Sequence, residues 1–256
     1  MNYKTMLLAS AAVLFASQAM AQDLTGAFSV PGKGQVMSDT RLGLTREKAR
    51  HHWGADDGLY ASEELEYGVT DQFSVNAGIA NLFDREGWYN NDHNFEYNLG
   101  AKYTTRLGNG LLFQAAGHYT TYNPKDFYGH KGNDARWVKY LGGELKLGYE
   151  LADGLTAYGI YGLDSEIDNY SREIEQSLSA GLHYYTGKYA LDGAIRYDFN
   201  THDKNTHEWW LDAAADYYVK ENVALGVYGS YFLDGDSSTD YIKQSHEVGL
   251  RVKVLF

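Results

Sequence analysis

The chain has 256 residues, with 22 basic against 34 acidic side chains, a formal net charge of −12 and no cysteine. That balance excludes a nucleic-acid partner, which needs clustered Lys and Arg to neutralise phosphates, and the missing thiols exclude disulfides, thiolate metal sites and cysteine nucleophiles. Twenty-eight glycines, 23 tyrosines, 10 phenylalanines and 5 tryptophans beside only 2 prolines favour long uninterrupted strands over helices.

Residues 1–21 come first. Lys4, an apolar run from Met6 to Ala16 and the triplet Ala19-Met20-Ala21 have the layout of a secretory signal peptide cleaved after Ala21. The run is too short for a bilayer span, which needs about 20 residues. No cysteine follows the cleavage site, so lipoprotein anchoring is excluded. The expected mature chain is a single domain over 22–256.

From there on no 3.6-residue stripe appears, and no apolar run of 18 residues. Apolar and polar residues instead alternate with period two in stretches of about ten. The predicted strands are 35–45, 59–69, 73–83, 95–107, 111–122, 137–151, 155–164, 173–185, 189–199, 208–219, 223–233 and 241–256. Short turns such as Leu107-Gly108-Asn109-Gly110 and Ala152-Asp153-Gly154 alternate with longer polar connections. Twelve strands, an even number, bring both termini to the short-turn end. This is the form of an all-β, transmembrane, antiparallel up-and-down β-barrel with short periplasmic turns and longer extracellular loops.

The strands divide by face. Strand nine places Leu191, Ile195 and Tyr197 on one side and Asp192, Arg196 and Asp198 on the other; strand six opposes Leu141, Leu145 and Leu147 to Glu144 and Lys146. Charge falls on one face throughout, with Glu63 the main exception. Aromatics such as Tyr103, Tyr149, Tyr189 and Tyr217 gather near the short turns, and Phe95, Phe199, Trp209 and Tyr231 towards the long loops. Two aromatic girdles around an apolar band fit contact with membrane lipid. A soluble barrel or sandwich would bury its apolar face instead.

The last strand, HEVGLRVKVLF, ends on Phe256 with apolar residues at alternate positions before it, and resembles the terminal signal of Gram-negative outer-membrane proteins. Tyr67-Gly-Val-Thr-Asp-Gln-Phe73 likewise resembles their periplasmic turns. The resemblance is to the porin-like class and implies an outer-membrane location. It also implies insertion by the barrel-assembly machinery with periplasmic chaperones, Phe256 serving as the assembly signal. A terminal strand must pair with the first, because an open edge in lipid leaves backbone groups unsatisfied.

The other face lines the lumen. The inward acids are Asp39, Glu64, Glu66, Glu96, Glu144, Glu150, Glu173, Glu175, Asp192, Asp198, Asp212, Asp216 and Glu247. The inward bases are Arg41, Lys102, Arg106, Lys146, Arg196, Lys243, Arg251 and Lys253. The acidic excess favours cations in a narrow water-filled pore. Channels for acidic sugars use arginine-rich tracks, and this lumen departs from that pattern. Asp212 and Asp216 flank Ala214 on one strand face beside an uncharged strand eleven, which marks them as charges without a basic partner on that flank. No connection is long enough for a large folded plug.

Catalysis would need a nucleophile near His118 or His183. Ser177 and Ser179 share a face with His183, but no signature of a barrel hydrolase is present. Histidines 51, 52, 93, 130, 202 and 207 fall in the long loops without a recurring ligand spacing, and 234–240 lacks the twelve-residue calcium pattern. The expectation is therefore a non-enzymatic monomer without cofactor or metal, embedded in outer-membrane lipid. Its role is a narrow diffusion channel for small solutes with a mild cation preference. A structural or surface-interaction barrel acting through its loops is the alternative, and an outer-membrane hydrolase a third.

Overall fold

Strands with one apolar and one polar face are satisfied together when every apolar face meets lipid and every backbone edge finds a partner. The computed structural model describes residues 24–49, 56–84, 94–122, 138–167, 174–200, 207–236 and 242–256, and it closes the sheet completely. Its strands are β1 (Val36–Ala49), β2 (Asp56–Gly68), β3 (Phe73–Asp84), β4 (Asn94–Gly108), β5 (Leu111–Tyr122) and β6 (Val138–Ala152). They continue as β7 (Leu155–Glu166), β8 (Ile174–Tyr185), β9 (Tyr189–Asn200), β10 (His207–Lys220), β11 (Val223–Asp236) and β12 (Ile242–Leu255). Each strand pairs antiparallel with its neighbours in chain order, and β12 pairs with β1. Among the described residues no helix is long and apolar enough to cross a membrane. The expected signal peptide, 1–21, lies outside them.

All twelve predicted strands are present. The largest departure is β1, which runs on to Ala49 because β12 supplies partners up to the Ala49–Ile242 pair. The seam is completed by Phe256, whose N–H donates to the Val36 carbonyl at 2.8 Å while the Val36 N–H donates to the Phe256 carbonyl at 3.1 Å. At one short turn Asn109 (φ 50°) and Gly110 (φ 78°) take the left-handed conformations of a tight hairpin, which Asn and Gly adopt at low cost.

The burial pattern is inside out. Leu42, Leu44, Leu99, Leu141, Leu147, Ile195, Val248 and Leu250 are 49–61% exposed on the outer surface. Glu66, Gln114, Asp216 and Lys253 are buried inside. A water-soluble barrel does not expose such a continuous apolar band; a membrane-spanning one does. Aromatic pairs edge the band: Tyr189 with Tyr217 at 5.3 Å between ring centres near the short turns, and Tyr197 with Trp209 at 4.6 Å towards the long connections. Glu63 does face outward, and the neighbouring strand explains how it is held there. Its carboxylate accepts hydrogen bonds from Ser38 Oγ at 2.5 Å and from the Thr40 hydroxyl, both on β1.

Candidate functional site in the barrel lumen

The lumen holds a segment that period-two reading gave no reason to expect. Residues 24–35, ahead of β1, turn back into the short-turn end of the barrel. The Leu24 N–H donates to Tyr218 Oη on β10 at 2.8 Å, and Lys253 Nζ on β12 donates to the Leu24 carbonyl at 3.2 Å. Phe28 lies against Gly148 on β6, where any Cβ would fall 2.4 Å from its ring. The segment therefore runs from one wall to another; it is a short strand-free stretch ahead of β1 and not a large folded plug. It carries no period of its own, and its contacts with β10 and β12 bridge 194 and 229 residues of sequence.

Around that segment the inward charges form close pairs. Asp39 accepts from Arg41 at 2.8 Å and has Lys253 at 3.6 Å. Lys102 bridges Glu66 at 2.8 Å and Glu64 at 3.7 Å, and Glu66 also accepts from the Ser74 hydroxyl. Arg106 grips Glu150 with two hydrogen bonds of 2.5 and 2.7 Å, and Lys146 lies 3.2 Å from Glu144. Asp216, expected to lack a basic partner, is bound through both its oxygens by Arg251, with the Nε contact at 2.7 Å. Arg251 comes from β12, one strand further on, and crosses Gly226 on β11, which shares a row with both groups. An uncharged β11 thus gives Arg251 access to Asp216 and does not isolate it. Asp212 also has partners: the Ser230 hydroxyl at 2.5 Å and Arg196 at 3.7 Å.

The other half of the lumen, towards the long connections, has a different balance. A cavity of about 550 Å³ lies against β6–β10 and is lined by seven carboxylates, those of Glu144, Asp164, Glu175, Asp192, Asp198, Glu208 and Asp212. Arg196 is the one Lys or Arg in that lining, 3.0 Å from Asp198. Its guanidinium also lies 5.4 Å from the centre of the Trp210 ring. At the floor of the cavity Tyr158 Oη donates to Asp192 at 2.7 Å, and His183 Nδ1 lies 3.2 Å from the other oxygen of the same carboxylate. On β5 His118 Nε2 sits 2.6 Å from Asp164. The interior acids Glu96 and Glu247 lie on β4 and β12 away from this wall. Glu173 and the Lys243 side chain lie outside the described residues.

His183 with Asp192 has the look of a catalytic pair, and the spacing along β8 decides the matter. Ser179 and Ser177 stand four and six residues away on the same strand, about 13 and 20 Å at the rise of a β-strand. Neither hydroxyl reaches the imidazole, so these groups form a polar lining and not a nucleophile–base couple. Of the loop histidines, His51, His52, His93, His130 and His202 lie outside the described residues. His207 lies on β10 with its ring 6.2 Å from that of Tyr197. Among the described residues no group of three or more His, Asp or Glu is placed to hold a metal ion.

Residues 169–256, the last third of the chain from the approach to β8 through β12, match the family described as "Putative MetA-pathway of phenol degradation". No curated protein matches the chain. Solved structures do. An outer-membrane channel from Pseudomonas putida F1 aligns with 92% of this chain and 100% of its own at a TM-score of 0.71 and 11% identity. The NanC porin aligns with 85% of this chain and 98% of its own (TM-score 0.62, 9% identity). The KdgM porin in complex with disordered oligogalacturonate covers the same shares (TM-score 0.57, 10% identity). At such identities the likeness is one of fold: the chain has the twelve-stranded architecture of outer-membrane porins and channels.

Proposed function

We propose that the protein is an outer-membrane channel for small solutes, entered from the extracellular side through an acid-lined vestibule that favours cations. It acts as a conduit and not as an enzyme. The observation that carries the reading is the 550 Å³ cavity with seven carboxylates to one guanidinium. Low-dielectric walls focus such a charge excess and raise the local concentration of cations. The short-turn half, where acids and bases pair closely, contributes little net field. Cleavage after Ala21, insertion by the assembly machinery with chaperones and a monomeric state in lipid complete the proposal. The solved porins and channels of this architecture support transport as the role.

The test is the reversal potential of the purified protein in planar bilayers under a salt gradient. Asp198→Asn combined with Glu208→Gln removes two vestibule charges. Cation preference falls in this variant, most at low salt, where the Debye length reaches about 30 Å. An unchanged reversal potential refutes the vestibule as the source of selectivity. One observation favours a second reading, a closed barrel acting through its loops: the N-terminal segment lies across the lumen. Absence of any conductance would favour that reading.

A further inference from the structure

We infer that solute passes residues 24–30 along the β4–β9 side of the lumen, through a neck framed by Tyr158, His183 and Asp192, and that the Tyr158 ring sets the width of that neck. The inference rests on the channel reading and gives that channel its route to the short-turn end.

Residues 24–35 are a fixed wall of this route. Leu24 is buried with Met37 of β1, Ala190 of β9, Tyr218 of β10, Ala224 of β11 and Leu255 of β12. At the far end of the segment the Lys33 N–H donates to Asp71 Oδ1 at 3.0 Å, and the Gly34 N–H to the Gly68 carbonyl at 2.7 Å. Tied at both ends, the segment still leaves the short-turn half partly open. A second cavity, of about 490 Å³, lies between residues 26–30 and the wall of β4–β8, with Arg106, Glu150, Thr156 and His183 in its lining. The Arg106 side chain is 60% exposed, so this lower cavity meets solvent near the short turns.

The two cavities meet at one cluster. Tyr158 and Asp192 line the 550 Å³ cavity, whereas Thr156 and His183 line the lower one. His183 Nδ1 nevertheless lies 3.2 Å from Asp192, and Thr156 pairs with His183 between β7 and β8. Only these side chains separate the two spaces. Asp192 is engaged at both oxygens, by Tyr158 Oη at 2.7 Å and by His183, which fixes the carboxylate at the neck. Phe28 adds an apolar side, because its ring lies on Gly148, the β6 residue paired with Tyr158. Asp192 stands three residues from the start of β9 at Tyr189, whereas Glu144 and Asp212 stand eight from the short-turn ends of β6 and β10. A cation leaving the acidic cavity therefore meets Asp192 last and finds Glu150 in the lower cavity beyond it. Low-dielectric rings beside a fixed carboxylate strengthen its attraction for that cation.

The chain has no cysteine, so a single introduced thiol reports on one position. Unit conductance of the full mature chain in planar bilayers is recorded before and after a cationic methanethiosulfonate reagent. Folding of each variant is verified first by heat-modifiable electrophoretic mobility, and modification by mass. Thr156→Cys places the thiol in the lower cavity, and its modification lowers the unit conductance by about half. Met37→Cys, on β1 in a separate cavity of about 230 Å³, gives no such loss. Tyr158→Ala removes the ring from the neck and raises the unit conductance about twofold. Tyr228→Ala removes the same ring from β11, in the lining of neither cavity, and leaves the conductance unchanged. An unaltered conductance after modification of Thr156→Cys overturns the route and leaves the channel reading standing, as does a thiol there that the reagent does not reach. A larger loss at Met37→Cys also overturns the route. Equal effects of the two tyrosine variants overturn the neck. Zero conductance of the unsubstituted chain overturns the channel reading, and the route falls with it.

Discussion

Gly226 on β11 has no side chain, so Arg251 on β12 passes over it to Asp216 on β10, and both charged groups end up buried. Breaking a buried pair by removing one partner is costly, because the surviving charge stays out of water. Asp216→Asn is therefore expected to destabilise the barrel by about 3 kcal/mol, measured as a shift in the urea unfolding midpoint in lipid. Gly226→Ala, whose Cβ would fall 2.0 Å from Asp216 Oδ1, should weaken the same pair without removing a charge. On the outer surface the sign of tolerance reverses. Leu147→Arg puts a charge into the apolar band and should cost about 2–4 kcal/mol near the bilayer midplane. Its neighbour Lys146→Leu removes an inward cation from Glu144 and leaves folding into lipid nearly intact. Equal folding of these two variants would contradict the assignment of faces on β6.

At the scale of the element, period-two alternation made all twelve strands legible, because lipid on one side and the lumen on the other impose opposite demands on successive residues. Strand ends were legible where a turn residue marked them, as at Gly108-Asn109-Gly110, and not at Ala49, where only pairing with β12 extends β1. Residues 24–35 were illegible for a different reason. Their contacts, from Leu24 and Thr25 to β10 and β12 and from Phe28 to β6, join single residues to strands far away in sequence and so leave no period to read. The partner of Asp216 is hidden for a related reason: Arg251 lies not on the neighbouring β11 but on β12, and reaches across Gly226. β12 has its own test. Phe256 exchanges two hydrogen bonds with Val36 at the seam. Its deletion should slow insertion and increase periplasmic degradation, followed by pulse-chase labelling of the folded form; insertion at the normal rate would contradict the role of the terminal residue.

Over the whole molecule, the interior divides into two halves with different charge balance. Near the long connections, carboxylates outnumber guanidinium groups seven to one around the 550 Å³ cavity. Near the short turns, salt bridges neutralise the wall and residues 24–35 lie across it. In the proposed channel, selectivity belongs to the half near the long connections. Of the two carboxylates that the inward–outward pattern marks as field-setting, Asp212 lies in the wall of this cavity, whereas Asp216 is bound by Arg251 outside it. The central claim is that of a cation-favouring channel, and the reversal potential of the unmodified protein under a tenfold gradient of dilute potassium chloride tests it most directly. A potential displaced towards that of potassium is the predicted result. A measurable current whose reversal potential lies at zero or towards chloride would contradict it.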